Sequence, residues 1–218
     1  MSQPPAHERV QFDPAEMKAG AFYRILNSVV VPRPIAWVCT RSADGVDNLA
    51  PHSFYSVSCV SPPVVQFTSV GRKDSLNNAE ATGEFTVSLT PRWLFEQVNA
   101  TGTDFPPDAS EAEHTGVRLE PADVVSAMRV AESPVALECR LHGTVSFGDS
   151  TVVFGRVLAV SVWEAAVRDG RPRIEHLHPL ARLGGNEWST IGEVKEIPRI
   201  PYRDWSEDPS IGERLRGG

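Results

Sequence analysis

The sequence has no long hydrophobic run, no excess of positive charge and no even set of cysteines. Its apolar stretches are shorter than the ~18 residues of a membrane-spanning helix, and its N-terminus, MSQPPAHERVQFDPAE, lacks the apolar segment of a secretion signal. The 218 residues carry 21 basic and 28 acidic side chains, a net charge of −7. Because proteins that bind nucleic acid through its phosphates usually carry a basic excess, we expect neither a nucleic-acid partner nor a membrane partner.

The cysteines and histidines do not form a recognisable ligand motif. Cys39, Cys59 and Cys139 are too far apart for a Cys-X-X-Cys metal site, and their odd number does not fit a disulfide framework. His176 and His178 lie on a segment that we expect to be extended, but no second cluster of ligand residues accompanies them. The sequence therefore predicts no metal site and a cytoplasmic protein.

Glycine and proline are frequent, with 16 and 18 residues among the 218, and they show no repeat period. This composition favours short elements joined by turns over a helical bundle. Apolar segments rich in β-branched residues follow one another directly between turn signals, which favours antiparallel pairing in a barrel or sandwich. We expect strands near 29–40, 53–60, 64–70, 85–89, 135–147 and 151–162, and helices within 12–24, 74–82 and 91–100.

One short segment, SVGRKDSL, has the pattern of an anion site. A predicted strand ends, Gly71 permits a turn, Arg72 and Lys73 follow, and a helix begins with Asp74 or Ser75 at its cap. Helix N-termini present free N–H groups and a partial positive charge, and two neighbouring cations strengthen such a site for phosphate. The alternative is an ordinary capped helix with two solvated cations.

A second segment, residues 48–54, combines small residues, a proline and polar side chains. Such a strand lets a flat ligand approach, with Asn48 and Ser53 placed to hydrogen-bond its polar edge, whereas the alternative is a plain edge strand. The acidic segment 101–116 is either a solvated loop or a cover over a pocket. The sequence contains neither the motif of a Ser-His-Asp hydrolase nor a Gly-rich nucleotide loop.

Taken in order, these segments resemble the flavin reductase-like proteins, which have an FMN-binding split β-barrel. The resemblance extends over residues 12–190, and the combination of NLAPHSF and RKDS after an RPIAWV strand is more specific than either motif alone. The matching segments are RPIAWVCT (33–40), DGVDNLAPHSFYSVSCVSPPVVQF (44–67), GRKDSLNN (71–78), TGEFTVSL (82–89), VNATGTDFP (98–106), ALECRL (136–141) and PLARLGG (179–185).

The resemblance implies a mainly β protein with inserted α-helices, a Greek-key split β-barrel over residues 12–190. It implies a homodimer with FMN held near the subunit interface, a flexible arm over 1–11 and a C-terminal extension over 191–218. Arg72, Lys73 and Ser75 are implied to hold the phosphate, and Arg182 is similar to a late basic residue near the flavin. The residues implied to line the ring system and ribityl chain are Trp37, Thr40, Asn48, Leu49, Ala50, Pro51, Ser53 and Phe54.

The implied activity is that of an FMN-binding oxidoreductase, first of all a flavin reductase that uses NADH or NADPH and serves a flavin-using monooxygenase. Two positions depart from the family pattern. Ser150 stands where a histidine is common in nicotinamide-using members, and Ala112 stands where a phenylalanine is common. Ser150 favours the alternative of an electron carrier, or of a flavoenzyme that acts on an organic substrate without NAD(P)H. A third alternative is a non-catalytic split-barrel module that binds a ligand.

Overall fold

The computed structural model describes residues 8–208, 210 and 212. Residues 1–7 of the predicted arm, and 209, 211 and 213–218 of the predicted extension, lie outside the described residues. The described chain forms two compact units. One unit is Arg24–Ile191, and the other combines the described parts of Met1–Tyr23 and Gly192–Gly218.

The elements are short and separated by turns, as the glycine and proline content predicts. The strands of the described chain are β1 Arg33–Pro34, β2 Ala36–Arg41, β3 Asp47–His52, β4 Tyr55–Cys59, β5 Val64–Val70, β6 Glu84–Leu89, β7 Leu119–Pro121, β8 Met128–Val130, β9 Val135–Phe147, β10 Ser150–Val162, β11 Val167–Arg168, β12 Arg171–Pro172, β13 Leu180–Arg182 and β14 Trp188–Thr190. The α-helices are α1 Ala19–Val29, α2 Asp74–Thr82, α3 Phe95–Ala100, α4 Glu111–Thr115, α5 Ile174–Leu177 and α6 Tyr202–Glu207, and 3₁₀ turns span Arg92–Leu94 and Glu164–Ala166.

Seven strands form one antiparallel sheet in the order β3-β2-β6-β9-β10-β5-β4. Its longest ladder joins β9 to β10, which form the predicted hairpin, with Phe147 paired to Ser150 across the turn. The sheet is rolled, because the Nδ1 atom of His52 on β3 lies 3.3 Å from the carbonyl oxygen of Thr68 on β5, near the opposite end of the strand order. The predicted mainly β class with inserted helices is confirmed.

Strand β2 is buried on both faces and separates two apolar clusters. Ala36 points into a cluster inside the rolled sheet that includes Phe85 of β6 and Leu76 of α2. Trp37, the next residue, packs on the opposite face with Val98 of α3. Successive side chains of a strand point to opposite faces, and both faces of β2 are buried, so apolar residues follow one another directly in its sequence. Helix α2 packs on one face and helix α3 on the other.

Helix α1 differs from the expected helix within 12–24. Asp13 accepts the N–H of Glu16 at 3.1 Å, so the Asp-Pro signal makes an isolated turn rather than a helix start. The helix begins six residues later, at Ala19, and continues through Val29, which was expected in a strand. Val30 still donates to the carbonyl of Leu26 at 3.0 Å. The helix stops there because Pro32 has no N–H and disfavours helical backbone at the preceding residue.

The expectation of an extended segment at His176 and His178 is wrong. His176 lies inside α5, and His178 leaves the helix with a φ of +46°. The two imidazoles therefore do not share one face of a strand. Within the described residues, no three or more His, Cys, Asp or Glu side chains are grouped as metal ligands. No described helix is both long enough and apolar enough to cross a membrane.

Candidate functional site

The turn after β5 places two cations at the N-terminal end of α2. Gly71 adopts a φ of +77°, which a residue with a Cβ rarely does. Its N–H donates to the carbonyl of Asp149 at 2.8 Å, so the β9–β10 hairpin turn lies against it. The helix starts at Asp74 and its N-cap is Lys73, without a side-chain cap. The expected cap at Asp74 or Ser75 is therefore wrong by one or two residues, because the carbonyl of Lys73 already accepts the first helical bonds.

Both cations carry acidic or amide partners and remain open to solvent. The Arg72 guanidinium donates to Glu80 at 2.7 Å and to Asn77 at 3.0 Å. The Lys73 ammonium donates to Asp104 at 2.7 Å, and this bond holds the pKa of the Asp104 carboxyl below its ordinary value. The Arg72 and Lys73 side chains are 61% and 52% exposed. Such exposed pairs contribute little to stability, so an anion can replace either partner at little cost.

A buried hydrogen-bond chain crosses from β5 through β3 to the first turn of α2. His52 Nδ1 lies 3.3 Å from the carbonyl of Thr68, and Nε2 lies 3.1 Å from Ser75 Oγ. Since a carbonyl only accepts, Nδ1 carries the proton and Nε2 accepts from the Ser75 hydroxyl. Ser75 Oγ in turn accepts from Asn48 Nδ2 at 3.2 Å. Both hydrogen bonds of the Ser75 hydroxyl are therefore made to buried residues of the protein. At the helix N-terminus, the backbone N–H of Ser75 is the group that remains available to a ligand.

The imidazole of His52 is held neutral by this environment. Burial lowers the pKa of His52 to about 4, the hydrogen bond with the Thr68 carbonyl opposes that shift, and the charge of Lys73 adds to it. Because the neutral ring is the acceptor of the Ser75 hydroxyl, the direction of the whole chain depends on this protonation state.

A cavity of about 260 Å³ lies beside β3, on the side opposite to the Ser75 chain. Polar and apolar residues line this cavity, and Trp188 forms one of its sides. The Arg182 guanidinium is stacked on the Trp188 indole, with Cζ 4.4 Å from the ring centroid. Arg182 also donates to the carbonyl of Gly185 at 2.9 Å. The lining residues are Ile35, Pro51, Ser53, Asn99, Gly102, Arg182 and Trp188.

A second cavity of about 490 Å³ shares the Asn99, Arg182 and Trp188 walls with the first. Phe95, which packs edge-on against Trp188 at 5.2 Å, and the polar side chains of Glu96 and Asn186 complete it. The two cavities therefore form one open, partly aromatic groove.

The cavity and the cationic helix end adjoin each other along two paths. On β3, Pro51 lines the cavity while its neighbour His52 bonds to α2, because successive side chains point to opposite faces. In the 101–116 segment, Gly102 lines the cavity and Asp104 binds Lys73. Two residues of chain span at most about 7 Å. The arrangement therefore places a partly aromatic recess next to a helix N-terminus that carries two cations.

The remaining residues implied by the resemblance lie outside the cavity walls. Trp37 and Thr40 are fully buried on opposite faces of β2: Trp37 Nε1 donates to Thr101 at 2.9 Å, and Thr40 accepts from Asn78 at 3.2 Å. Leu49 is a core residue. Ala50 and Phe54 are half-buried on β3 and directly after it. The role of each toward a ligand stays a prediction.

Helix α4 ties the acidic segment to the site strand. The Glu111 carboxylate accepts the Leu49 N–H at 2.9 Å, and burial raises its pKa. Ala112 next to it is buried in the apolar cluster on the Trp37 side of β2. Sequence reasoning missed four cavity residues, although two of the matching motifs held a usable signal: RPIAWVCT contains Ile35, and VNATGTDFP contains Asn99 and Gly102. Trp188 lies outside every quoted motif.

Comparisons with known proteins identify the family of this chain. The family model of the flavin reductase like domain matches residues 28–178. The chain belongs to the flavin reductase-like family. Among curated relatives of this flavin reductase-like protein, an uncharacterized protein of Deinococcus radiodurans is 38% identical over 90% of the chain and 92% of its own length. One of Halalkalibacterium halodurans is 36% identical over 87% and 96%.

Solved structures show the same fold. The flavin reductase-like chain is similar to nitrilotriacetate monooxygenase component B from Bacillus cereus, with a TM-score of 0.85 and 29% identity over 88% of this chain and all of that one. It is also similar to the 2-nitrobenzoate 2-nitroreductase of Pseudomonas fluorescens, with a TM-score of 0.82 and 27% identity over 88% and 96%. The predicted split β-barrel is confirmed by a split-barrel flavin reductase fold from Shewanella frigidimarina, with a TM-score of 0.80.

Proposed function

We propose that this protein binds FMN and acts as an FMN-dependent oxidoreductase that takes its electrons from NADH or NADPH. The observation that carries the proposal is the partly aromatic cavity at Pro51, Ser53 and Arg182, which adjoins a helix N-terminus flanked by Arg72 and Lys73. A flat ring system with a phosphate at the end of a short chain matches this pair of features in chemistry. A ligand without a phosphate leaves the cationic end unused.

The residues present fit FMN, and each has a defined part. Arg72, Lys73 and the first backbone N–H groups of α2 bind the phosphate, while Glu80 and Asp104 give up their cations to it. Pro51 and Gly102 offer walls without bulk to the ring system, and Ser53 and Arg182 hydrogen-bond its polar edge. When bound, FMN supplies the hydride and electron transfer, so the protein needs no nucleophile of its own.

The use of NADH or NADPH is supported by membership of the flavin reductase-like family, whereas Ser150 favours the alternative without a nicotinamide. Ser150, which stands where nicotinamide-using members often have histidine, lies at the β9–β10 turn beside the cationic end, and its hydroxyl donates to Asp149 at 2.8 Å. A structural neighbour is a monooxygenase component, which favours delivery of reduced flavin to a partner monooxygenase.

The proposal is tested by titrating the purified protein with FMN and riboflavin and then mixing the FMN complex anaerobically with NADH and with NADPH. We expect saturable binding of both flavins, tighter for FMN, and rapid loss of visible flavin absorbance with at least one nicotinamide. A chain that binds neither flavin would be the non-catalytic module and would contradict the proposal.

The second cavity favours one alternative, a flavoenzyme that acts on an organic substrate without NAD(P)H. Its Phe95 and Trp188 walls suit a planar substrate beside the flavin cavity, and one structural neighbour is a nitroreductase of an aromatic acid. In the same anaerobic experiment this alternative predicts no bleaching by either nicotinamide. Protein reduced by dithionite is then reoxidised by 2-nitrobenzoate. An electron carrier shows neither reaction with small molecules.

We further propose that the protein is a homodimer. Apolar side chains of the β9–β10 hairpin are exposed in the described chain. Phe147 at 66% and Val145 at 45% lie two residues apart on one face of β9, and Val160 at 55% lies toward the other end of the hairpin. Exposed apolar patches of this kind mark protein interfaces. We expect light scattering to show a dimer. In the double variant Phe147→Gln/Val145→Gln we expect the dimer dissociation constant to rise at least tenfold. Val124→Gln, at another exposed valine, is the matched control. A monomeric wild type would refute the dimer.

A further inference from the structure

Arg33 is a buried cation behind the flavin-binding cavity. It is 7% exposed and lies on β1, between Pro32 and Pro34, whose rings restrict the backbone on both sides. Its main chain pairs with Arg182 on β13. Arg33 was expected only as part of the RPIAWV motif, and it does not line either cavity.

On one side the Arg33 guanidinium binds the end of α1. Nη1 donates to the carbonyl of Val30 at 2.9 Å and also to that of Asn27. Asn27 lies in the last turn of α1 and Val30 directly follows the helix, so both carbonyls are at the helix C-terminus, where carbonyls lack intrahelical partners. A cation at a helix C-terminus also interacts favourably with the helix dipole. The charge of Arg33 is thus used to fix the end of α1.

On the other side the same guanidinium reaches both walls of the cavity. Nη2 donates to the carbonyl of Leu183 at 2.7 Å, directly after Arg182. Nε lies 3.5 Å from Ser53 Oγ. The same segment also packs closely against α1 at Gly184. A Cβ there would come within 2.6 Å of Ser28 Oγ, so the Gly184 backbone is in direct contact with the helix. Arg33 therefore joins α1, the Arg182 segment and Ser53 through one rigid fork.

We propose that Arg33 is a positioning residue for the flavin ring system, because it sets Arg182 and Ser53 at the spacing that the ring requires. This role rests on the proposed FMN binding and concerns the ring end of the site, not the phosphate end. A lysine keeps the charge but has no planar fork, so it cannot bridge the four acceptors in the same geometry.

Arg33→Lys is expected to lower the affinity for FMN and for riboflavin by the same factor, about tenfold, the equivalent of one charge-assisted hydrogen bond. The visible circular dichroism of the bound flavin should change as well, because Ser53 and Arg182 shift against the ring. A residue that only stabilised the fold would lower the melting temperature and leave that spectrum unchanged. Arg118→Lys, at an exposed arginine paired with Glu132, is the matched control.

The outcomes separate this role from the proposed function. Two results for Arg33→Lys would overturn the positioning role and leave FMN binding standing. One is unchanged affinity and an unchanged spectrum for both flavins, and the other is a loss of affinity for FMN alone. A wild-type chain that binds no flavin would overturn both. Should Arg33→Lys not fold, Arg33→Gln places a shorter planar donor at the same position and leaves every cavity side chain in place. Parallel losses for the two flavins then support the role, and unchanged binding overturns it.

Discussion

Replacement of both Arg72 and Lys73 by alanine is expected to weaken FMN binding about 100-fold and to leave riboflavin binding unchanged. The two flavins share the ring system and the ribityl chain and differ only in the phosphate. Any loss confined to FMN therefore measures the contribution of the proposed phosphate site at the start of α2.

The size of the expected loss follows from the charges involved. A hydrogen bond to a charged group is worth about 1.5 to 3 kcal/mol, and both cations are half exposed, which places the pair near the lower end for each. The backbone N–H groups of the helix terminus remain in the variant and retain part of the affinity. Glu80 and Asp104 lose their partners but are solvated, so folding should be little affected.

Fluorescence titrations with both flavins, at low and at physiological salt, measure this effect. Arg118→Ala removes an exposed cation elsewhere and serves as the control. The wild-type preference for FMN should shrink as salt rises, since exposed charges are screened. An equal loss for FMN and riboflavin would contradict the phosphate site, because it would place the two cations at the ring instead.

Acidification from pH 6.5 to pH 4 is expected to lower the free energy of unfolding through His52 by up to about 3 kcal/mol. Burial, assisted by the Lys73 charge, lowers the pKa of this imidazole from 6.5 to about 4 in the folded chain. Between these two values the unfolded chain binds a proton that the folded chain does not. Stability is therefore complete above pH 6.5 and is lost as the pH falls toward 4.

The measurement is the difference in unfolding free energy between the wild type and His52→Asn at a series of pH values. Asparagine does not titrate, and its amide can still donate to the Thr68 carbonyl. Taking the difference removes Asp104, whose lowered pKa acts at lower pH, and Glu111, whose raised pKa acts with the opposite sign. His142→Asn, at an exposed position, controls for loss of an imidazole. A difference that does not change with pH would show that His52 is not buried in its neutral form.

Much of the fold could be predicted because its signals are local. The strand Val64–Val70, the helix Asp74–Thr82 and the β9–β10 hairpin follow from β-branched runs and turn residues, and the structure has them within about one residue. The helix start at Asp13-Pro14 failed because one capped turn satisfies the same pattern. The extended His176 segment failed because four residues are too few for any period to appear.

The sequence by itself determined the chemistry of the proposed phosphate site, since Gly71, Arg72, Lys73 and the helix after them are adjacent in the chain and fix one another's geometry through local backbone rules. Only the tertiary structure decided what faces that site. The rolled sheet brings Thr68 to His52, 16 residues apart in the chain. A separate small sheet, in which β1 pairs with β13, brings Arg182 to Arg33 across about 150 residues. Burial and hydrogen bonding across such distances depend on the packing of whole strands, so no short pattern of residues encodes them.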